Sequence, residues 1–204
     1  MQEIIVATAN RGKLREIREI LRHLPVTLSS LADYGDPVPA IPETGNTFLE
    51  NALQKAEWVF GHGNMGQKGR WVLADDSGLE VDALGGQPGV RSARFAGYAA
   101  DTAANNKKLL ELLAGVPLGR RTARFKCAAV LMTSARSYFA AEGVCEGAIA
   151  FSGSGAGGFG YDPLFVPENF SRTFAEIEPA EKHAISHRGR ALKKVEKYCH
   201  DQLG

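Results

Sequence analysis

Side chains that could bind phosphate, a metal ion or a flat aromatic ligand concentrate in four short segments of the chain. The first segment lies between a β-branched run and a predicted helix, and consists of Thr8, Ala9, Asn10, Arg11, Gly12 and Lys13. A hydroxyl, an amide and an ammonium group beside the N-terminus of a helix suit phosphate oxygens. The alternative is a capped turn that carries a solvated lysine and binds no ligand.

The second segment joins a proline-rich loop to the start of a predicted helix. Glu43 lies in the loop and could supply a carboxylate to a metal ion. Glu50 occupies the capping-box position behind Thr47, which already explains its presence. Lys55 follows on the same helix, where a solvated lysine is the alternative to a ligand contact.

The third segment, Asp75-Asp76-Ser77-Gly78, ends an apolar strand predicted over residues 71–74. Adjacent carboxylates repel one another unless a cation lies between them and a partner, and Mg²⁺ prefers such hard oxygen ligands together with water and phosphate. Side chains of neighbouring strand residues point to opposite faces, so we expect one carboxylate of the pair to contact the metal. An Asx turn with an N-cap is the alternative.

The fourth segment has two parts that could bind a base. An aromatic ring beside a carboxylate could stack on a base and read its edge; this part consists of Phe159, Gly160, Tyr161 and Asp162. Donors to an exocyclic oxygen or a phosphate lie near a predicted helix start; they are Lys182, Ser186, His187 and Arg188. Phe159 would otherwise be a core aromatic residue. Together, the four segments predict a metal-dependent nucleotide site.

The elements that must position these segments are a mixture of helices and strands. Apolar spacing predicts a helix with Leu14, Ile17, Leu21 and Leu24 on one face, ended before Pro25. Further helices are predicted from the cap at Thr47 to about Gly61, from Asp101 or Thr102, from Glu178 and from Ser186. Strands are predicted over residues 4–8, 71–74, 124–133, 138–149 and 164–166, with a hairpin turn at 134–137 and loops at 35–46 and 61–69. We therefore predict one α/β domain of the mixed α+β kind over residues 1–204.

Composition disfavours several classes of protein. The chain carries 24 basic and 23 acidic residues, and a formal charge of +1 disfavours sequence-independent binding to nucleic acid. Its three cysteines share no CxxC spacing and predict neither a disulfide framework nor a zinc site. The longest apolar run, residues 127–132, falls far short of the ~20 residues of a membrane span, and the N-terminus lacks the pattern of a signal peptide. We expect a cytoplasmic protein with no membrane or nucleic-acid partner.

Three familiar patterns match only in part. Residues 155–160 fit the GxGxxG pattern, but a strand rather than the required helix is predicted after them. Gly12 and Lys13 end like a P-loop, but Leu14 stands where that loop needs Ser or Thr. His183 and His187 have a metal-like spacing without an accompanying HExxH motif. These patterns therefore do not support a dinucleotide, P-loop or zinc site.

The chain resembles the inosine triphosphate pyrophosphatase family, which includes the dITP/XTP pyrophosphatases, in five sequence blocks. The blocks are TANRGK at 8–13, PETGNTFLENALQKA at 42–56, ADDSGL at 74–79, GGFGYDPLF at 157–165 and EKHAISHRG at 181–189. The resemblance implies an elongated α/β fold, a mixed sheet with helices in two lobes around a central nucleotide-binding cleft, and a homodimer. It also implies Mg²⁺-dependent hydrolysis of non-standard purine nucleoside triphosphates (dITP, ITP, XTP and dXTP) to monophosphate and pyrophosphate, which keeps them out of DNA and RNA.

The same resemblance implies roles for individual residues. Those that would hold the triphosphate are residues 8–13, Lys55 and Ser77. Those that would ligate the metal are Glu43 and Asp76, and Asp76 would also be the catalytic acidic residue. Those that would bind the base and its surroundings are Phe159, Gly160, Tyr161, Asp162, Lys182, His187 and Arg188. Whether Asp75 or Asp76 orients or deprotonates the attacking water stays open.

Two other interpretations also stay open. A Maf-type pyrophosphatase for modified pyrimidine nucleotides would use similar chemistry on another base. A nucleotide sensor without turnover would bind a similar ligand, although a passive site gains little from two crowded carboxylates. If the substrate is a 6-oxo purine, donors of the segment around His187 and Arg188 would select it, because adenine would leave them unpaired.

Overall fold

The computed structural model describes residues 1–35, 41–62, 65–97 and 101–204. Parts of the two predicted loops, residues 36–40 and 63–64, lie outside the described residues, as do residues 98–100. Within the described ranges the chain forms α-helices and a six-stranded sheet. The mixed α/β class predicted from the sequence is confirmed.

The sheet contains both parallel and antiparallel strand pairs. Its strands are β1 (Gln2–Val6), β2 (Val26–Ser30), β3 (Trp71–Val81), β4 (Thr122–Ser134), β5 (Ser137–Ile149) and β6 (Phe165–Pro167), in the order β2-β1-β3-β4-β5-β6. β1 pairs in parallel with β2, with Gln2 opposite Val26, and with β3, with Ile4 opposite Trp71. β6 pairs with β5 in the antiparallel direction.

The α-helices lie between and after these strands. They are α1 (Arg11–Ile20), α2 (Phe48–Gly61), α3 (Thr102–Leu112), α4 (Pro179–Ile185) and α5 (His187–Leu203). Among the described residues, none of the helices combines the length and apolarity needed to cross a membrane.

The chain divides into two compact units. The first unit consists of Met1–Asp76, Cys127–Gly143 and Arg188–Gly204, and the second of Ser77–Lys126 and Val144–His187. Strands β3, β4 and β5 contribute residues to both units. This division does not test whether residues 1–204 form a single domain, which stays a prediction.

The core of the first unit forms where α1 and α5 pack on the sheet. Its buried side chains include Val6 of β1, Ile17 of α1, Leu73 of β3 and Leu192 of α5. Full burial of one such aliphatic side chain contributes about 1.5–3 kcal/mol. This packing holds α1 and α5 against the sheet, and α1, α5 and β3 all carry predicted site residues.

An aromatic cluster dominates the core of the second unit. The ring of Phe125 lies 4.8 Å from that of Phe165, and Phe165 lies 5.0 Å from Phe174, measured between centroids. Tyr161 is buried in the same core, together with Leu109 of α3. The core therefore holds the segment that contains residues 159–162.

Caps place two helix starts as the sequence predicts. Thr47 Oγ1 accepts from the N–H of Glu50 (3.1 Å), while Glu50 Oε2 accepts from the N–H of Thr47 (3.3 Å), which completes the capping box of α2. α2 ends at Gly61, as predicted. Asp101 caps α3 by accepting from the N–H groups of Ala103 and Ala104.

Two elements of the first unit differ from the prediction. The predicted helix continues to Leu24, whereas α1 ends at Ile20. The N–H of Leu24 donates to the carbonyl of Leu21 (3.0 Å) in a tight turn, and Leu24 stays buried because it packs on the core. β2 was not predicted, because its sequence Val-Thr-Leu-Ser-Ser is short and half polar at the edge of the sheet.

β3 does not end at residue 74, as predicted, but continues through Asp75 and Asp76 to Val81. The Asx turn considered for these two residues is therefore wrong. Two adjacent aspartates read as the end of a strand because charged side chains rarely lie inside a buried strand without partners. Here cationic side chains of the first unit compensate both carboxylates, and the strand continues.

Candidate active site

The first predicted segment forms the turn from β1 into α1. Asn10 Oδ1 accepts from the N–H of Lys13 (3.0 Å), and Thr8 Oγ1 accepts from the N–H of Asn10 (3.2 Å). Its exposed residues are Ala9, Asn10 and Arg11, and its half-buried residues are Thr8, Gly12 and Lys13. The capped turn considered as the alternative to a phosphate site is therefore present, although the side chain of its lysine, Lys13, is only 14% exposed. The cap does not exclude a phosphate ligand, because the first turn of a helix presents several N–H groups.

A buried ionic cluster surrounds Asp75; this Asp75 cluster consists of Lys13, Glu16, Asp75 and Arg188. Asp75 Oδ2 lies 3.3 Å from Lys13 Nζ and accepts from Arg188 Nε (3.1 Å) and Nη2 (3.0 Å). Arg188 Nη1 donates to the carboxylate of Glu16, and the two side chains are only 1% and 6% exposed. Alternation of carboxylates and cations allows these charges to be buried.

The Asp75 cluster keeps its aspartate ionised. Burial alone would raise the pKa of Asp75, but the charges of Lys13 and Arg188 outweigh it and hold that pKa well below its usual range. Asp75 Oδ1 is buried and has no hydrogen-bond partner among the residues that the structure describes. A carboxylate with so low a proton affinity is a poor general base.

A second cluster surrounds Asp76; this Asp76 cluster consists of Glu43, Asn51, Lys55 and Asp76. Lys55 Nζ donates to Glu43 Oε1 (2.8 Å) and to Asp76 Oδ1 (3.2 Å), and Asn51 Nδ2 donates to Asp76 Oδ2 (3.0 Å). The side chain of Lys55 is 6% exposed, so it is buried rather than solvated. Burial lowers the pKa of Lys55, but the nearby carboxylates outweigh burial and raise it, which keeps the ammonium charged.

Asp75 and Asp76 are neighbours on β3 but have different partners, as alternation along a strand predicts. The side chain of Asp76 is 10% exposed, whereas that of Asp75 is wholly buried. Of the two carboxylates, Asp76 is therefore the one that solvent or a ligand can reach. Ser77 follows in the same strand and is half-buried.

The donor set at Asp76 is suited to Mg²⁺. Among the described residues, no group of three or more His, Cys, Asp or Glu side chains is placed to hold a metal ion. Glu43 and Asp76 nevertheless present carboxylate oxygens to one ammonium group, a position that favours a cation. Mg²⁺ is typically bound by one or two carboxylates, with water and substrate phosphates as its other ligands.

The second unit brings together the two parts of the fourth predicted segment. Asp162 Oδ2 accepts from Lys182 Nζ (2.7 Å) and from the N–H of Phe159 (2.7 Å). The ammonium of Lys182 lies 5.4 Å from the ring centroids of Phe159 and of Phe174. Asp162 and Lys182 are buried and Phe159 is half-buried, so a fixed ion pair supports a partly accessible ring.

The remaining predicted residues of the second unit are held by hydrogen bonds and a ring contact. The Tyr161 hydroxyl donates to the carbonyl of Ser92 (2.8 Å), and burial raises the pKa of Tyr161. Gly160 adopts a φ of 62°, and its carbonyl accepts from Asn106 Nδ2 (3.1 Å). The buried ring of His187 stacks on Phe125 at 4.7 Å between centroids.

The guanidinium of Arg188 is held by Asp75 and Glu16 in the first unit, and the contact with the base that the resemblance implies for it stays a prediction. Sequence reasoning missed both Glu16 and Asn51. No motif marks Glu16. Asn51 lies four residues before Lys55, on the same face of α2, and that spacing was the available signal.

Comparison with known proteins shows similarity over nearly the whole chain. The model of the Ham1 family matches residues 4–198. The dITP/XTP pyrophosphatase of Exiguobacterium sibiricum is 51% identical over 197 residues, which cover 95% of each chain. The dITP/XTP pyrophosphatase of Geobacillus kaustophilus is 46% identical over 204 residues, covering 100% of this chain and 97% of the relative. The solved structure of a HAM1 protein from Coxiella burnetii is 41% identical, covers 98% of this chain and 100% of its own, and superposes with a TM-score of 0.85.

Proposed function

Because the chain belongs to the Ham1 family, we propose that it is a nucleoside triphosphate pyrophosphohydrolase for dITP, ITP, XTP and dXTP. The products would be the nucleoside monophosphate and pyrophosphate. The observation that carries the proposal is the convergence of Glu43, Lys55 and Asp76 in one cluster of contacting charged side chains. The names of the relatives, dITP/XTP pyrophosphatases, support the same activity.

We propose Mg²⁺ as the metal, held by Glu43 and Asp76. When bound, it would neutralise charge on the triphosphate and polarise a phosphoryl oxygen. Lys55 contacts both of these carboxylates and would add a positive charge that can bind phosphate oxygens.

The start of α1 would bind the triphosphate, assisted by Ser77. Residues 8–13 combine backbone N–H groups at a helix N-terminus with the ammonium of Lys13. Lys13 is fixed by its contact with Asp75, which Arg188 holds in turn. A pre-positioned ammonium loses little conformational entropy when phosphate binds, so the Asp75 cluster would strengthen triphosphate binding.

Asp76 would orient or deprotonate the water that attacks the α-phosphorus, and pyrophosphate would leave. Its carboxylate reaches solvent, whereas Asp75 is buried and holds its proton too weakly to act as a base. We therefore assign the chemical step to Asp76 and a supporting role to Asp75. A positioned general base contributes roughly 10²–10⁴-fold to the rate.

Residues of the second unit would recognise the base. Phe159 would stack on the purine, with Gly160, Tyr161 and Asp162 shaping the turn that carries it. Lys182 and His187 would contact the edge of the base. Adenine in place of a 6-oxo purine would leave a buried donor there unpaired, at a cost of about 1–3 kcal/mol. The resemblance also places Arg188 at the base, but its buried ion pairs favour a role in which it holds Asp75, which in turn fixes Lys13.

The cellular setting follows from the resemblance alone. We propose a cytoplasmic homodimer that removes non-standard purine triphosphates before they enter DNA or RNA. Size-exclusion chromatography with light scattering tests the dimer; a monomer at micromolar concentration would contradict it.

A substrate panel tests the proposed activity. ITP, XTP, dITP, ATP, GTP and a modified pyrimidine triphosphate are each incubated with Mg²⁺ or with EDTA, and the products are separated. We expect Mg²⁺-dependent pyrophosphate release from the 6-oxo non-standard purines, with ATP and GTP slow. Preferred turnover of the pyrimidine would favour the Maf-type alternative, and tight binding without turnover would favour the sensor.

A further inference from the structure

We infer that Asn51 is a positioning residue whose side-chain amide sets both the orientation of the Asp76 carboxylate and the path of the loop that carries Glu43. The inference rests on the proposed function, because Glu43 and Asp76 are the proposed metal ligands. The sequence resemblance assigns no role to Asn51.

The amide of Asn51 is held in one orientation. The residue is 1% exposed; its Oδ1 accepts from the N–H of Gly45 (2.8 Å), and its Nδ2 donates to Asp76 Oδ2 (3.0 Å). A backbone N–H can only donate, so Gly45 determines which end of the amide faces the loop. The NH₂ end must then face Asp76, as a donor to a carboxylate.

Asp76 is consequently held at both carboxylate oxygens. Asn51 contacts Oδ2, and Lys55 Nζ contacts Oδ1 at 3.2 Å. Lys55 divides its ammonium between Asp76 and Glu43, whereas the neutral amide of Asn51 is directed at Asp76. The amide therefore orients the carboxylate without adding a positive charge that would compete with a metal ion.

Side chains of α2 also fix the loop that leads into the helix. Backbone N–H groups of four consecutive residues donate to Gln54 (2.9 Å), Asn51 (2.8 Å) and Glu50 (2.7 and 3.3 Å); the donors are Thr44, Gly45, Asn46 and Thr47. A Cβ at Gly45 would lie 2.9 Å from Asn51 Oδ1 and 2.6 Å from Glu50 Cβ, so this close approach requires glycine. Glu43 directly precedes residues 44–47, so the hydrogen bonds that anchor these residues also fix the position of the Glu43 backbone.

Asn51 thus connects the two proposed metal ligands through one rigid group. Glu43 is carried by the loop and Asp76 by β3, and the Asn51 amide bonds to both elements. Partners that orient metal ligands typically contribute 10–100-fold to metal affinity or activity, so we expect an effect of roughly that size.

Three variants and one control test this role. Asn51→Leu keeps the shape but removes both hydrogen bonds, and Asn51→Ser is a smaller replacement in case leucine prevents folding. Gln54→Leu releases Thr44 without touching Asp76, and Glu57→Gln changes an exposed residue of the same helix.

Folding is checked by circular dichroism and melting temperature. Binding of Mn²⁺ is measured by EPR, for the protein alone and with inorganic pyrophosphate, and kcat and KM for ITP are measured over a range of Mg²⁺ concentrations.

We expect folded Asn51→Leu or Asn51→Ser to bind Mn²⁺ roughly 10–100-fold more weakly and to lose kcat by a similar factor at limiting Mg²⁺. Excess Mg²⁺ should restore much of kcat, while KM changes less than about threefold, since a purely structural defect would not respond to the metal in this way. Gln54→Leu should have a smaller effect, and Glu57→Gln none.

Folded Asn51 variants with wild-type Mn²⁺ affinity and kcat would overturn the inference. Failure of both to fold would overturn it as well, because the contribution of Asn51 would then be one of stability. If the wild type hydrolyses no triphosphate but its Mn²⁺ affinity still depends on Asn51, the proposed function fails and the positioning role stands.

Discussion

Replacing Arg188 by methionine removes the central cation of the Asp75 cluster while keeping much of its volume. Arg188 contacts the carboxylates of Asp75 and Glu16, and all three side chains are buried. The substitution leaves Glu16 without this cation and leaves Asp75 with Lys13, which lies 3.3 Å away. Removal of one partner from a buried ion pair typically destabilises a protein by about 3–5 kcal/mol, because the other charge stays buried.

For a chain of this length, about 1 kcal/mol corresponds to roughly 2–4 °C in melting temperature, so Arg188→Met should melt roughly 6–20 °C below the wild type. Glu16→Gln should have a smaller effect, because Arg188 keeps its contacts with Asp75. Lys193→Gln, which changes an exposed residue of the same helix, is the matched control and should leave the melting temperature unchanged.

The destabilisation should also depend on pH. The pKa of Asp75 is lowered in the folded protein, so its contribution to stability is full above the unfolded value of about 3.9 and is lost as the pH falls through the lowered pKa. In Arg188→Met the pKa of Asp75 should rise, because burial raises this pKa and one of the positive charges that lower it has been removed. The variant can take up a proton at higher pH than the wild type, so the difference in unfolding free energy should narrow from pH 7 towards pH 4.

Urea denaturation followed by circular dichroism measures these free energies at each pH. An Arg188→Met protein within about 1 kcal/mol of the wild type at pH 7 would refute the buried cluster as a source of stability, since that is below the expected cost of an unpaired buried charge. A difference that widens towards pH 4 would refute the assignment to Asp75.

Three further predictions concern other parts of the molecule. Asp76→Asn should fold normally and lose roughly 10²–10⁴-fold in kcat, measured by pyrophosphate release; an unchanged kcat would remove Asp76 from the chemical step. Lys182→Met should lower the unfolding free energy by about 3–5 kcal/mol, because it leaves the carboxylate of Asp162 buried without its cation. The double variant Lys182→Met/Asp162→Leu should recover part of that loss. A double variant less stable than Lys182→Met would argue against the buried unpaired carboxylate as the cause. The three cysteines are buried, and burial raises the pKa of Cys127 to about 12 and of Cys199 to about 11, so a thiol reagent should label none of them rapidly before denaturation; fast labelling of the native protein would contradict the packing.

Local signals predicted the start of α2 well, and contacts between distant residues explain what the sequence did not predict. The capping box needs only residues 47–50, so the sequence contains all the information. The continuation of β3 through Asp75 depends on Arg188, which lies 113 residues further along the chain. No local pattern could show that these charges would be compensated inside a strand.

The candidate site follows the same division. Motifs singled out Glu43, Lys55 and Asp76, and the structure brings them into contact. Glu16 was missed because its partner, Arg188, is 172 residues away and a single glutamate on an amphipathic helix is usually solvated. The motif around Arg188 could not show which buried carboxylates hold its guanidinium, because Asp75 and Glu16 lie far away in the sequence.

Hydrolysis of ITP in ¹⁸O-labelled water, with mass spectrometry of both products, tests the central claim most directly. Attack of water on the α-phosphorus predicts one ¹⁸O atom in the monophosphate and none in the pyrophosphate. Label in the pyrophosphate would contradict attack on the α-phosphorus, and release of inorganic phosphate with a nucleoside diphosphate would contradict the proposed pyrophosphohydrolase.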